Sequence, residues 1–177
     1  MLSWIGQRDD VLRVFMTVEG RSSHSDVCTA CGDTEERGKA EYICEDCFSR
    51  RLVCRACCIH NHIERPLDSI KKWNGKFFED TSLRELGLRV QLGHPDGSFC
   101  PFPEPGPTDF TLIHTSKLHC VNVAYCGCPV SMAKAHWEQL MLNEWLPATM
   151  ERPRTACTFR ALELFHMLSH RGKITAY

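Results

Sequence analysis

Three pairs of cysteines, each separated by two residues, dominate the chemistry open to this sequence: Cys28/Cys31, Cys44/Cys47 and Cys54/Cys57, followed at once by Cys58, His60 and His62. A two-residue gap lets a tight turn aim two thiolates at one tetrahedral zinc ion while backbone N–H groups donate to the sulfurs. Seven of the chain's twelve cysteines lie between Cys28 and Cys58. In a reducing compartment such clustering reads as metal binding rather than a scattered disulfide framework. Buried cysteines acting as small hydrophobes are the plainer alternative, but three pairs at one spacing in so short a stretch argue against it.

Six thiolates exceed what one ion takes, and two closed sites need eight ligands. The missing two must come from Cys58, His60, His62 or a nearby carboxylate. Cys58 adjoins Cys57, and neighbours rarely ligate one tetrahedral ion, so Cys58 reads as structural. Six residues separate Cys47 from Cys54, a tight fit for finishing one site and opening another. An interleaved cross-brace, with Cys28, Cys31, Cys54 and Cys57 on one ion and Cys44 and Cys47 sharing a second with downstream ligands, relieves this and resembles B-box and ZZ-type fingers. Sequential pairing of Cys28/Cys31 with Cys44/Cys47 is the alternative. A second, weaker cluster is Cys126-Gly127-Cys128, with His94, Cys100, His114 and His119 upstream. A C-x-C pair can hold one metal; two half-buried thiols at a strand end fit the local pattern equally. The expectation is two structural zinc ions, or three if Cys126 and Cys128 bind.

Catalytic signatures are missing. The sequence holds no H-E-x-x-H, G-x-S-x-G, phosphate-loop or dinucleotide-binding pattern. Ligand spacing explains the Cys and His residues better than a nucleophile–base pair does, and sites filled by protein ligands are structural rather than catalytic. Glu104, Asp109, Glu138, Glu144 and Glu163 fall in loops or on solvated helix faces. Twenty-one basic and 22 acidic residues give a net charge of -1, which argues against a polycation built for nucleic acid. Local basic groups remain: Arg50, Arg51 and Arg55, then Lys71, Lys72 and Lys76 interleaved with Trp73, Phe77 and Phe78. Such aromatics can stack on bases or form a satellite core with lysines on its rim. A membrane span and a secretory leader are not expected, since the opening MLSWIGQRDD is interrupted by charges.

These residues need elements to hold them. An amphipathic helix is expected from Ser3, as N-cap, to Glu19, stopped by Gly20. Thr81 or Ser82 is a candidate cap for a short helix ending at Gly87. Alternation predicts strands over 88–92, 110–114 and 118–125, the last two joined by a turn at Thr115-Ser116-Lys117. The proline-rich 94–107 reads as loop. Helices are expected after Pro129, with Trp137, Leu140, Met141 and Trp145 as one face, and from near Ala156 to Arg171 with Gly172 as cap. An extended start follows at 174–177. The expected fold class is therefore α+β: a zinc-stabilised cross-brace, a short β-hairpin region, then C-terminal helices. The boundaries are 1–20 (helix), 27–68 (cysteine cluster), 69–128 (β-rich) and 129–177 (helical).

Five runs in order, RDDVLRVFMTVEGR, YICEDCFSRRLVCRACC, KKWNGKFFEDTSLRELGLRVQLGHPDGSFCP, DFTLIHTSKLHCVNVAYCGC and WLPATMERPRTACTFRALELFHMLSHRGKITAY, resemble the CxC-type cysteine-cluster region that precedes KDZ (Kyakuja–Dileera–Zisupton) transposases. The resemblance implies one histidine ligand near His62 and another in a P-L-H-R-I run. Here that run is Pro66-Leu67-Asp68-Ser69-Ile70, so Asp68 stands at the second histidine's position, with His60 as the other candidate; aspartate oxygen also ligates zinc. The resemblance favours Cys126 and Cys128 as cluster members. It implies a nuclear, non-catalytic accessory module whose carboxylate-bearing nuclease domain lies outside these residues. Its partners would be transposon DNA or a transposase catalytic domain, with no membrane or small-molecule substrate. A B-box-like protein-interaction module without a nucleic-acid role is the alternative.

Overall fold

The computed structural model describes residues 2–21, 24–31, 38–94, 98–129 and 135–172. It is a mixed α+β chain whose strands form three sheets. Two compact units meet in sequence at Leu86 and Gly87.

The first unit opens with a 3-10 turn, Leu2–Gln7, running into α1, Arg8–Glu19. Gly20 ends the helix in extended backbone with its N–H on the Met16 carbonyl, as the sequence led one to expect; the expected cap at Ser3 falls on a side chain outside the described residues. β1 (Tyr42–Cys44), β2 (Ile70–Trp73) and β3 (Phe78–Thr81) make an antiparallel sheet in that order. Between β1 and β2 the chain forms α2, Arg55–Asn61. Ile43, Leu52, Ile70, Leu83 and Leu86 are buried, a core too small to stand without staples. The short helix expected at 82–87 is a single turn. Its capping box does form: the Ser82 hydroxyl accepts the Glu85 N–H, and the Glu85 carboxylate accepts the Ser82 N–H and the Thr81 hydroxyl. Those bonds hold the Glu85 carboxyl below its usual range. Gly87, at φ +95°, then turns the chain away before a second turn can add.

The second unit corrects the sequence reading in four places. First, the single strand expected over 118–125 is two: β7 (Leu118–Cys120) pairs with β6 (Thr111–Ile113), whereas β8 (Asn122–Cys126) belongs to another sheet. Buried Val121 is the switch point, its N–H on the Phe110 carbonyl. Second, the proline-rich loop contains β5, Pro103–Pro105. Proline lacks the N–H a central strand needs, but β5 is an edge strand on β8 and tolerates it. The flanking residues supply the ladder, with Gly106 N–H on Val123 and Gly127 N–H on Phe102. Third, among the described residues the helix after Pro129 is α3, His136–Leu142, which ends before Trp145. Glu144 adopts a left-handed φ of 59°, which reverses the chain and delivers Trp145 to β9 (Trp145–Pro147) instead of to the helix face. Fourth, the last helix begins at Phe159, not near Ala156, because Thr155–Thr158 is β10, hydrogen-bonded between β6 and β9. The Thr158 hydroxyl then accepts the Ala161 N–H at the start of α4 (Phe159–Gly172). The hairpin region expected there is thus two sheets, β7-β6-β10-β9 and β4-β8-β5 with β4 at Arg89–Gln91. The extended start expected at 174–177 lies outside the described residues.

Phe110, Leu112, Leu140 and Tyr125 are almost wholly buried, and Phe110 stacks on Trp145 with centroids 6.3 Å apart. Among the described residues no helix is long and apolar enough to cross a membrane.

Candidate metal centres

Three groups of four side chains converge, each with its ligand atoms within 4.8 Å of one another: Cys28, Cys31, Cys54 and Cys57; Cys44, Cys47, His62 and Asp68; His94, Cys100, Cys126 and Cys128. A tetrahedral ion with sulfur arms of ~2.3 Å sets neighbouring sulfurs roughly 3.8 Å apart, against ~2.05 Å for a disulfide. Cys31 Sγ lies 3.6 Å from both Cys54 Sγ and Cys57 Sγ, and Cys100 Sγ lies 3.5 and 3.4 Å from those of Cys126 and Cys128. The spacing fits a shared cation, and all twelve thiols are free of disulfides.

The first group is assembled by short-range turns and one long-range pairing. Cys28 precedes and Cys31 ends a single 3-10 turn, Thr29–Cys31, tied down by the Cys28 N–H on the Gly38 carbonyl. Cys54 caps α2, its sulfur accepting the Cys57 N–H. Val53 and Tyr42 exchange two backbone hydrogen bonds, which lays the Cys54 segment beside β1 and sends Cys44, two residues further along β1, to the other site. The two groups therefore alternate along the chain, 28/31 with 54/57 and 44/47 with downstream ligands, rather than pairing sequentially.

In the second group Cys44 ends β1 and its sulfur accepts the Cys47 N–H at 3.2 Å. His62 caps the far end of α2, so one short helix carries ligands of two groups on its two ends. The Cys58 carbonyl accepts from His62 Nδ1 at 2.7 Å, which leaves Nε2 facing Cys47 Sγ and Asp68 Oδ2, each at 3.6 Å. Asp68 Oδ2 is 3.5 Å from Cys44 Sγ and takes an ion pair of 2.7 Å from Arg65, whose other nitrogen donates to Cys47 Sγ. Asp68, not His60, completes this group; His60 lies on the exposed side of α2. Cys58 joins neither group. It is wholly buried, and burial, with the nearby Cys47 and Cys54 thiols, pushes its own thiol up to about 12.

The third group completes Cys126 and Cys128 with His94 and Cys100, which the sequence placed upstream without assigning. The sheet β4-β8-β5 is responsible. Parallel pairing sets Gln91 beside Ala124, so the chain leaving β4 brings His94 Nε2 to 3.2 Å from Cys126 Sγ and 3.7 Å from Cys128 Sγ. Antiparallel pairing sets Pro103 beside Cys126, which returns Cys100 to the same end. Gly93, at φ +79°, makes the turn, and a Cβ there would sit 2.6 Å from that of Cys126. Gly127 passes so close to Phe102 that a Cβ would lie 2.8 Å from its carbonyl oxygen. From α3, the buried Gln139 side chain grips the Cys126 backbone twice: Oε1 accepts its N–H at 2.7 Å and Nε2 donates to its carbonyl at 2.9 Å. No sequence signal marked Gln139 for this role.

The thiols within a group are electrostatically incompatible without a cation. Burial raises Cys28, but hydrogen bonds from the Cys54 and Ala30 backbone and from the Cys31 and Cys57 thiols outweigh it and bring it to about 7. Burial opposes Cys100 likewise, yet donors from Cys128, Phe102, Cys126 and Gly127 bring it to about 6. Their neighbours move the other way. Cys44 is pushed up to about 12 by burial and by Cys47, and Cys128 to about 12 by its bond to Cys100 and by burial. In the first and third groups one thiol, Cys28 or Cys100, is favoured as thiolate at the expense of its neighbours, and a bound dication removes that conflict.

Of the basic residues singled out from the sequence, Arg55 and Lys71 are engaged, whereas Arg50, Arg51, Lys72 and Lys76 are exposed. Arg55 Nε donates to the Leu86 carbonyl at 2.8 Å. Lys71 forms a 2.7 Å ion pair with Glu45, which raises its pKa, and faces Asp80 across the sheet. Lys72 lies 6.0 Å from the Tyr42 ring centroid and pairs in register with Glu79. Lys76 sits exposed in the β2–β3 turn beside exposed Phe77, while Trp73 and Phe78 meet edge to face at 5.0 Å.

No curated protein matches the chain, and neither does any solved structure. A family model described as "CxC2 like cysteine cluster associated with KDZ transposases" matches residues 83–177. The match spans the whole third group, whereas the first two groups precede it. With that match covering more than half of its residues, the chain belongs to the family of CxC2-like cysteine clusters associated with KDZ transposases.

Proposed function

We propose that this chain is a non-catalytic recognition module of a KDZ transposase-related protein, organised by three structural zinc ions and docking to a protein partner. The observation that carries the reading is that each of the three groups is a complete set of four protein ligands. One group offers four thiolates, the next two thiolates with an imidazole and a carboxylate, and the third three thiolates with an imidazole. Such donor sets suit zinc, and a closed set leaves no position for an activated water or a substrate. The alternation of the first two groups supports a cross-brace of the B-box or ZZ kind. The partner is taken to be a protein because the chain has no net positive charge to offer a polyanion. Lys71 is already neutralised by Glu45. Nine ligand thiolates also outweigh three dications, which carries a chain of formal net charge -1 further to the negative side. The transposase catalytic domain is the first partner to test, and the nucleus is the compartment this role requires.

Elemental analysis of the reduced, folded chain tests the module, with three zinc ions per chain expected and two or fewer refuting the third centre. Cadmium NMR tests the brace: Cys28→Ser and Cys54→Ser are expected to remove one resonance and Cys44→Ser a different one. Fluorescence anisotropy with duplex DNA tests the partner class. Binding that falls steeply with salt, with a slope reduced by about two units when Lys71 and Lys72 are both neutralised, would replace the protein reading with a DNA reading. The purified chain is expected neither to nick nor to join DNA with magnesium or manganese.

A further inference from the structure

We infer that α1 is a self-association element, an apolar helix face that pairs antiparallel with α1 of a second copy of this chain. No residue of α1 is buried, although Leu12, Val14, Phe15, Met16 and Val18 are all large and apolar. Phe15 and Met16 stand 61% and 66% exposed, an arrangement a solvated helix does not favour. At 100° per residue Arg8, Leu12, Phe15 and Glu19 fall on one stripe, following at i, i+4, i+7 and i+11. Val11 and Met16 flank it. The middle of the apolar face is thus bounded by a cation at the first residue of the helix and an anion at the last.

Those two charges select the occupant. Glu19 lies at the negative end of its own helix dipole, an unfavourable place for an anion, whereas Arg8 follows the 3-10 turn Leu2–Gln7 and so stands inside the helical segment rather than at its positive end. Across a two-fold axis between Arg13 and Val14 the signs are complementary. Arg8 meets both Glu19 and the helix C-terminus of the second copy, and the contact occurs twice by symmetry. The same register puts Leu12 against Phe15 and Val11 against Met16 of the second copy. Among the described residues Arg8 pairs with its neighbour Asp9, at 3.1 Å with both side chains solvated, and Asp10 with Arg13 on the opposite, polar face. Those solvated pairs cost little to rearrange. A parallel pair would set Arg8 against Arg8 and Glu19 against Glu19.

The contact is short. Twelve residues make a helix of about 18 Å, so the interface falls below the ~1,200 Å² of a standard complex. The association is accordingly reversible, with dissociation in the range of about 10–100 μM.

Sedimentation equilibrium of the full zinc-loaded chain under reducing conditions tests this. A monomer–dimer equilibrium is expected, weakened about tenfold or more by Arg8→Glu and by Glu19→Arg separately, since each turns two attractions into two repulsions. The double variant R8E/E19R is expected to recover wild-type affinity. An equimolar mixture of the two single variants is expected to form a heterodimer. Phe15→Glu is expected to leave only monomer, with zinc content and circular dichroism unchanged because no residue of α1 is buried. A chain that stays monomeric up to roughly ten times that dissociation range overturns the inference and gives the face to another protein or to another part of this chain. Dimers that persist in F15E, or single charge variants as strong as wild type, overturn it equally. Failure of the mixture to recover would exclude the antiparallel arrangement.

Discussion

Replacing Gln139 by leucine should release the metal of the third group selectively. Gln139 is wholly buried, and its amide makes both hydrogen bonds of the Cys126 peptide on the side facing α3, at 2.7 and 2.9 Å. Leucine fills similar space but leaves a buried N–H and a buried carbonyl without partners. Each such group costs about 1–3 kcal/mol, so the pair amounts to about 2–6 kcal/mol. Cys126 reaches ligand position only in the folded sheet, and metal affinity and ligand ordering are coupled, so the loss is expressed as affinity. Even the low end corresponds to about thirtyfold weaker binding. The assay is chelator competition on cobalt-substituted protein, read through the thiolate–cobalt absorption. Wild type should yield its three ions to high chelator, and Gln139→Leu should yield one of them at least thirtyfold earlier while the other two hold. Gln139→Glu should behave similarly at neutral pH, because its second oxygen faces the Cys126 carbonyl where the amide donated. Release of all three ions at wild-type chelator concentrations, with thermal stability unchanged, would refute the positioning role.

Two further outcomes follow from the same geometry. Arg65→Ala should speed metal loss from the second group alone, by less than about tenfold because the guanidinium is half exposed, and Arg65→Lys should restore part of it; equal loss rates in wild type and variant, followed by cadmium exchange, would remove Arg65 from the site. In the metal-loaded native chain, alkylation mapped by mass spectrometry should modify exposed Cys120 first and spare Cys58, which is fully buried with its thiol pushed up to about 12. Ligand cysteines should become reactive only after chelation, and early modification of Cys58 would contradict its burial.

What the sequence determined by itself was the local chemistry. A C-x-x-C or C-x-C pair is closed by one turn, so residue type and spacing suffice to mark it, and they marked Cys28/Cys31, Cys44/Cys47, Cys54/Cys57 and Cys126/Cys128. The resemblance to the cysteine clusters of KDZ transposases was legible on the same footing, since it rests on ordered runs along the chain. Helices whose ends are set by near neighbours were legible too, as Gly20 ending α1 illustrates.

Tertiary structure decided which pairs meet. Spacing left interleaved and sequential pairing open, and the Tyr42–Val53 bridge chooses between them by laying Cys54 beside the start of β1 while Cys44 stands at its far end. The resemblance left His60 and Asp68 as alternatives. The bond from His62 Nδ1 to the Cys58 carbonyl and the Arg65–Asp68 pair bring Asp68 to the group and leave His60 in solvent. The third group shows the limit most plainly. His94 and Cys126 are 32 residues apart and meet only because β4 and β5 both pair with β8. Strand pairing is a non-local choice, made by backbone hydrogen bonds and the burial of both faces together, and it is the same choice that turned the expected helical Trp145 and Ala156 into strand residues. A residue's type records what it can ligate, whereas its partner depends on segments far along the chain that pack against it.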